Sequence, residues 1–227
     1  MKKQIITTLC VSTLLVSNAA FAANFTKSFK GINFNVTTPT TTTKTQAQTQ
    51  TAINKAAMKS QITAIKTKLN STSSTYQSAV NNLANNLLPA EQLKKLNAEK
   101  VKIKNNAKAN TNVNIEIAAD GTVKLNKFLK SSSSADTFKN LTSAQKAAVK
   151  RDLNNLKNVN SSYSQIVEQS KTLVKQMKAD PIAALELKSD LTDLVKSQAK
   201  AAKQVKSTAK LTNNLVISAA KAGITLK

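Results

Sequence analysis

The side chains that could perform acid–base chemistry in this sequence are its eleven carboxylates, because the chain contains no histidine. Glu186, Asp190 and Asp193 recur at steps of three and four residues, so they share one face of any helix formed there. Paired carboxylates act as general acid and base when a cleft encloses them. Three glycines and no tryptophan provide neither the loops nor the aromatic platforms of such a cleft. We therefore interpret these carboxylates as a solvated helix face.

The sequence also lacks the residues of nucleophilic and metal-dependent sites. Histidine is the commonest general base and transition-metal ligand, so its absence excludes Ser-His-Asp and Cys-His arrangements. The single cysteine, Cys10, lies near the amino terminus, in a segment that we expect to be removed from the mature chain. We predict that the protein is not an enzyme and has no catalytic residue, no metal site and no cofactor.

Residues 1–22 have the pattern of a secretory signal peptide. Lys2 and Lys3 form a charged start, residues 5–16 are largely apolar, and Ala20-Phe21-Ala22 matches the small-x-small cleavage pattern. The apolar run is shorter than the roughly 20 residues of a transmembrane helix. An uncleaved anchor is the alternative interpretation, but the cleavage pattern favours removal. We expect an exported protein, periplasmic in the first instance and otherwise secreted or attached to the cell surface.

A net charge of +23 points to anionic partners such as acidic polypeptides or anionic envelope polymers. Nearly all of the positive charge comes from lysine, and Arg151 is the only arginine. Because bidentate recognition of bases relies on arginine, we predict no sequence-specific binding of nucleic acid. The densest basic stripe has steps of three and four residues and is our candidate polyanion-binding site. It consists of Lys196, Lys200, Lys203, Lys206 and Lys210. The alternative is a solvated face that only keeps the protein soluble.

The elements that would carry these residues are long amphipathic helices. Two apolar stripes meet at Asp180-Pro181, where Asp180 suits an N-cap and Pro181 suits the first helical position. The second stripe includes Ile182 and Leu185. Two helices of similar length with a short joint favour an antiparallel hairpin. The complete pattern predicts helices near residues 52–88, 90–104, 142–179 and 181–221.

The remaining segments complete a prediction of three parts. After the signal peptide, residues 23–51 form an extended stretch and then a threonine-rich tether, whose composition favours disorder and permits O-glycosylation. Residues 52–227 form the helical domain, with a β-hairpin near 113–125 around the turn dipeptide Asp120-Gly121. The predicted fold class is all-α: an elongated bundle of long amphipathic helices ending in an antiparallel helical hairpin, with a small β-hairpin insertion. Its seam is rich in small and polar residues, so self-association is a further expectation.

One pentapeptide, Leu141-Thr142-Ser143-Ala144-Gln145, has the form of a capping box, in which Thr142 and Gln145 satisfy each other's backbone amides. It resembles the LTxxQ motif of the Spy/CpxP family of small, all-helical, often basic periplasmic stress proteins. That family usually carries the motif twice, and residues 88–92 are similar to an upstream copy with proline in place of threonine. Leu141, Thr142 and Gln145 are the motif residues, and the resemblance implies that Thr142 and Gln145 shape a cradle for unfolded polypeptides without acting chemically.

Two classes of function follow from these patterns. The first is an exported, non-enzymatic binding protein, chaperone-like or involved in envelope stress, that binds unfolded or acidic polypeptides or polyanions through basic helix faces. The second is a secreted or surface-attached helical adhesin or matrix protein with a threonine-rich tether, whose composition leaves glycosylation open. Suppression of the aggregation of a denatured substrate would distinguish the first class from the second.

Overall fold

The computed structural model describes residues 44–104, 116–117, 123–130 and 133–226. The predicted signal peptide, the extended segment, the threonine-rich stretch before residue 44 and the Asp120-Gly121 turn lie outside the described residues. Within these ranges the fold is all-α except for one short ladder, in agreement with the predicted class. The elements in chain order are α1 (Lys44–Leu87), α2 (Ala90–Lys104), β1 (Glu116–Ile117), β2 (Val123–Lys124), α3 (Asn126–Lys130), α4 (Ser133–Lys139), α5 (Ser143–Ala179), α6 (Pro181–Glu186) and α7 (Lys188–Lys221).

Helix α1 begins at Lys44, so the assignment of residues 44–51 to a disordered tether is wrong. Threonine lowers helix propensity by only a fraction of a kcal/mol per residue. Extending an existing helix requires no new nucleation, so a long and well-packed helix can continue into such a segment. The side chain of Gln50 adds a local bond, because its Nε2 donates to Oδ1 of Asn54 at 3.0 Å, one turn later.

The short ladder joins β1 and β2. The strands are antiparallel, and Glu116 is paired with Lys124 and Ile117 with Val123. Val123 is buried, and Ile117 packs against the core beneath it. The rest of the predicted hairpin, residues 113–115 and 118–122, lies outside the described residues.

The joint between α5 and α6 has the geometry that its residue types favour. Oδ1 of Asp180 accepts a hydrogen bond from the backbone amide of Ala183 at 2.9 Å, and Pro181 occupies the first turn of α6, where no intrahelical donor is needed. The Nδ2 group of Asn54 in α1 donates to the other Asp180 oxygen at 2.9 Å. This carboxylate is therefore both a helix cap and a tertiary contact.

The prediction of one continuous helix over residues 181–221 is wrong, because a break at Leu187 separates α6 from α7. The Leu187 backbone has ψ near 12°, and its amide donates to Ala184 and Leu185 rather than to Ala183. The break buries Leu187, whereas Ile182 and Leu185, which the sequence places on the buried stripe, are 36% and 39% exposed. A tight turn thus changes which apolar residues face the core.

Helix α7 ends in a Schellman motif around Gly223. The amide of Ile224 donates to the carbonyl of Ala219 at 2.9 Å, and that of Gly223 donates to Ala220 at 3.0 Å. Gly223 has a φ of 74°, in the left-handed region that a side chain disfavours. The motif satisfies carbonyls that the helix end would otherwise leave without donors.

The chain divides into two compact units, and α1, α5 and α7 each contribute to both. The first unit contains residues 74–159 and 207–227 in its described part. Its core combines three aromatic residues with leucines from α1, α2, α5 and α7. Prominent members are Tyr76, Leu83, Leu87, Leu96, Phe128, Phe138, Leu153, Leu156, Leu211 and Leu215.

The first unit also buries a carboxylate, that of Asp152 in α5. Its Oδ1 accepts a hydrogen bond from Asn82 Nδ2 at 3.4 Å and lies 3.8 Å from Nε of Arg151. Its Oδ2 is buried and has no hydrogen-bond partner among the described residues. The neighbouring amide and guanidinium groups offset part of the cost of burying this charge.

The second unit contains residues 44–73 and 160–206 in its described part. Its apolar core is Met58, Ile62, Ile65, Leu69, Tyr163, Ile166, Val167, Leu173, Met177, Ala183, Ala184, Leu187, Leu191, Leu194, Ala201 and Val205. Polar bonds interrupt this core. Gln198 Nε2 donates to Ser170 Oγ at 2.5 Å, and Gln204 Nε2 donates to Ser73 Oγ at 2.8 Å. Gln198, Ser170 and Gln204 are buried and Ser73 is partly buried. These hydrogen-bonded side chains bury less apolar area than leucine would.

Candidate functional site

Four of the five candidate lysines lie on α7 within the second unit, and we call Lys196, Lys200, Lys203 and Lys206 the lysine face. All four side chains are exposed. Steps of three or four residues separate neighbouring lysines by about 4.5–6 Å along the helix axis. The fifth, Lys210, is also exposed on α7 but belongs to the first unit. Within the second unit, α7 therefore presents the lysine face to solvent as a regular row of positive charges.

Every carboxylate in the described part of the second unit already has a partner. Four of the five pair with lysine: Glu168 with Lys171, Glu186 with Lys55, Asp190 with Lys66 and Asp193 with Lys196, at nitrogen–oxygen distances of 2.6–3.7 Å. Asp180, the fifth, caps α6. These pairs are solvent-exposed, so each contributes little stability. Together with the cap at Asp180, however, they leave no described carboxylate of the unit without a partner.

The carboxyl-terminal half of the lysine face is consequently rich in positive charge that no carboxylate offsets. Asp193 is the last carboxylate of the chain, and seven lysines follow it. Lys203 and Lys206 form no ion pair with a carboxylate among the described residues. An anionic polymer is the class of ligand whose charge complements this surface, and lysine would bind it as a row of point charges without reading its sequence.

The carboxylates that could have formed a catalytic pair serve as ion-pair partners. Glu186 and Asp193 are exposed, and Asp190 is partly exposed. The residues described by the structure contain no group of three histidine, cysteine, aspartate or glutamate side chains able to hold a metal ion. In the same residues, no helix combines the length and the apolar character needed to cross a membrane.

The LTxxQ-like pentapeptide forms the reciprocal bonds of a capping box at the start of α5. The Gln145 amide donates to Thr142 Oγ1 at 3.2 Å, and the Thr142 amide donates to Gln145 Oε1 at 3.0 Å. Leu141 is 7% exposed and belongs to the core of the first unit. Thr142 itself is exposed. The geometry therefore accounts for all three residues through helix capping and packing.

The upstream pentapeptide, residues 88–92, lies at the junction of α1 and α2. Leu88 is 7% exposed and packs in the same core as Leu141. Pro89 stands directly before α2, and its carbonyl accepts the Leu93 amide at 2.9 Å. The leucine of each pentapeptide thus packs in the core of the first unit, just before the start of α2 or α5.

A feature that sequence reasoning missed is a crevice of about 160 Å³ in the second unit. Gln61, Ala64 and Ile65 of α1 and Gln169 and Thr172 of α5 line it. In the sequence, the residues of α5 that line the crevice form a row of uncharged polar side chains. Such a row cannot be distinguished from an ordinary solvated helix face. Only the packing of α5 against α1 turns these residues into the wall of a cavity.

Comparison of this chain with protein-family models, with curated proteins and with solved structures found no match. The candidate sites therefore depend on their own geometry and charge.

Proposed function

We propose that this chain is an exported, non-enzymatic binding protein of the chaperone-like class that holds acidic polypeptides or other polyanions on the lysine face of α7. The observation that carries the proposal is the charge distribution of the second unit. Its described helices carry twelve lysines with exposed or partly exposed side chains and only five carboxylates. All five carboxylates are engaged away from Lys203 and Lys206.

The arrangement of the helices supports a binding role. In the proposed architecture, α5 and the α6–α7 arm form an antiparallel hairpin within a bundle of long helices. Contacts on both arms are consistent with it, since Gln198 of α7 bonds to Ser170 of α5 and Gln204 bonds to Ser73 of α1. Such a scaffold holds the lysines on one rigid element, so little conformational entropy is lost when a polymer binds.

The resemblance of residues 141–145 to the LTxxQ motif supports the chaperone-like part of the proposal. Under this hypothesis, Thr142 and Gln145 shape a surface that receives unfolded polypeptides, in addition to capping α5. The proposed partners are unfolded or acidic polypeptides and anionic envelope polymers. Self-association is a further proposal for a core that contains so many small and polar residues.

A binding experiment with paired variants tests the lysine face. We expect the mature chain, residues 23–227, to bind fluorescent poly-glutamate at about 50 mM salt and to lose most of this affinity by about 200 mM, as ion-driven association does. Lys203→Gln combined with Lys206→Gln should weaken binding about tenfold at the lower salt, because two lysine–carboxylate contacts are lost. Fluorescence anisotropy measures both effects.

The matched control is Lys59→Gln combined with Lys175→Gln, which removes the same charge from exposed positions on α1 and α5. Equal loss of affinity in both double variants would mean that net charge alone attracts the polymer, and would contradict a binding site on α7. Suppression of the aggregation of a denatured model substrate tests the chaperone-like part. A protein that binds poly-glutamate but does not suppress aggregation would instead fit an adhesin or matrix protein.

A further inference from the structure

The crevice between α1 and α5 combines an open mouth with an apolar floor. Ala64 and Thr172 are exposed at its edges, whereas Ile65 is 1% exposed at its base. Gln61 and Gln169 complete its lining from opposite helices. None of the five lining residues is charged, so the crevice differs in chemistry from the lysine face of the same unit.

Both glutamines of the crevice have a buried side-chain oxygen without a donor. Oε1 of Gln61 and Oε1 of Gln169 have no hydrogen-bond partner among the described residues. Oε1 of Gln176 is also buried and also has no hydrogen-bond partner among these residues. Gln176 lies two helical turns beyond Gln169 on the same face of α5, about 10.5 Å along the axis. A buried acceptor left without a donor destabilises the folded state, so these three oxygens are an unusual concentration of unmet hydrogen bonding.

The same helix pair can satisfy a glutamine when a donor is within reach. One turn before Gln169, Gln165 Oε1 accepts a hydrogen bond from Lys68 Nζ at 3.2 Å. At the crevice, Ala64 stands where a longer side chain of α1 could have supplied such a donor. Rotation about the terminal side-chain torsion, which is broad for glutamine, would turn the oxygens of Gln61 and Gln169 into the crevice. After this rotation the two oxygens, which are buried in the structure, would accept hydrogen bonds from a molecule that enters from solvent.

We propose that this crevice binds the backbone of an extended polypeptide, whose N–H groups donate to Gln61 and Gln169. An unfolded chain carries N–H donors at every residue except proline. In a polyproline II conformation, donors on one side recur after three residues, about 9 Å apart, so a chain bound at Gln169 could extend along α5 to Gln176, which lies beyond the crevice lining. Because recognition uses backbone groups and no charge, it is independent of the client's sequence and insensitive to salt.

This inference rests on the polypeptide-binding part of the proposed function and adds to it a second, uncharged contact. The test uses the complete mature chain at about 1 M NaCl, where a Debye length of about 3 Å suppresses the lysine face. The probe is a short, uncharged, fluorescent peptide, compared with the same peptide N-methylated at its backbone amides. We expect the unmethylated peptide to bind and the N-methylated peptide to bind at least tenfold more weakly, because two hydrogen bonds of about 1 kcal/mol each are lost.

The protein variants provide the second arm of the test. Gln61→Leu combined with Gln169→Leu should weaken binding of the unmethylated peptide by a similar factor. The resistance of this double variant to unfolding by urea should be unchanged or higher, because two side-chain oxygens without hydrogen-bond donors are removed. Gln165→Leu is the control, since it makes the same substitution on α5 outside the crevice, and it should retain full affinity. Opposite effects on affinity and stability distinguish a binding role from structural damage.

Three outcomes would overturn the inference: no binding of the uncharged peptide, equal binding of the N-methylated peptide, or full affinity in the double leucine variant. The glutamines would then be hydrated by water alone. The comparison of peptides uses the unmodified protein, so it remains decisive even if the double variant does not fold. Poly-glutamate binding at low salt, measured on the same samples, reports separately on the lysine face.

Discussion

At the scale of single residues, the largest buried side chain of the second unit is also an ionisable one. Tyr163 is 1% exposed in the second unit, and it is the largest of the fully buried side chains among the described residues. Burial raises the pKa of its phenol from 10.0 to about 12, because the charged phenolate would lose its hydration. The folded state therefore retains a proton that the unfolded chain releases at lower pH.

This pKa difference predicts a loss of stability in alkaline solution. Below pH 10 the phenol is neutral in both states and the full stability is present. Between pH 10 and about 12 the unfolded state releases its proton first, so the free energy of unfolding falls, by up to about 3 kcal/mol for a shift of this size. Urea unfolding at a series of pH values, with tyrosinate absorbance as a second signal, measures the effect.

Tyr163→Phe provides the control for the alkaline loss. Every other ionisable group is common to both proteins, so the difference between the two pH profiles isolates the phenol. The phenylalanine variant should lose less stability above pH 10 than the unmodified protein. Parallel profiles would show that Tyr163 does not contribute to the alkaline instability.

At the scale of the elements, side-chain caps determine where the long helices begin. Thr142 and Gln145 cap α5, and Asp180 caps α6. A cap supplies acceptors to amides that have no partner inside the helix, which stabilises the protein by roughly 1 kcal/mol. The two caps lie in different units, so each can be removed as a control for the other.

Comparison of the two caps tests whether the LTxxQ-like pentapeptide does more than begin a helix. Thr142→Ala and Asp180→Ala should each lower the free energy of unfolding by about 1–2 kcal/mol in urea. If Thr142 also shapes a surface for polypeptides, only Thr142→Ala should reduce the suppression of client aggregation. Equal suppression by the two variants would restrict Thr142 to its capping role.

At the scale of the whole molecule, the dominant property is a net charge of +23. Repulsion among so many lysines opposes the compact state, and salt screens it within about 10 Å at 0.1 M. Apart from the pairs of Asp152 and Glu99, whose carboxylates are buried, the described ion pairs lie at the surface, where each contributes at most about 1 kcal/mol. Repulsion should therefore outweigh pairing in the response of the protein to salt.

We expect the free energy of unfolding, measured in urea, to increase between about 10 mM and about 200 mM NaCl as this repulsion is screened. The increase should be smaller for Lys203→Gln combined with Lys206→Gln, because that variant has less repulsion to relieve along α7. A decrease with salt would instead indicate that ion pairs such as Lys55–Glu186 stabilise the fold more than the excess charge destabilises it.

The sequence by itself determined the features that depend on residues close together in the chain. Apolar periodicity specifies the all-α class. Asp180 and Pro181 specify a helix boundary, because proline lacks an amide proton and aspartate accepts one. Thr142 and Gln145 form a capping box for the same local reason, and steps of three and four residues place the lysines along one side of α7.

Only the tertiary structure decided the features that depend on which helices meet. The turn at Leu187 buries that residue while leaving Ile182 and Leu185 exposed. The ion pairs Lys55–Glu186 and Lys66–Asp190 require α1 to lie beside the later helices. The same is true of the crevice at Gln61 and Gln169 and of the bond between Asn54 and Asp180, which are more than a hundred residues apart in the chain. Apolar periodicity in the sequence indicates which face of a helix is buried. Packing between distant segments determines which helix covers that face and which hydrogen-bond donors that helix supplies.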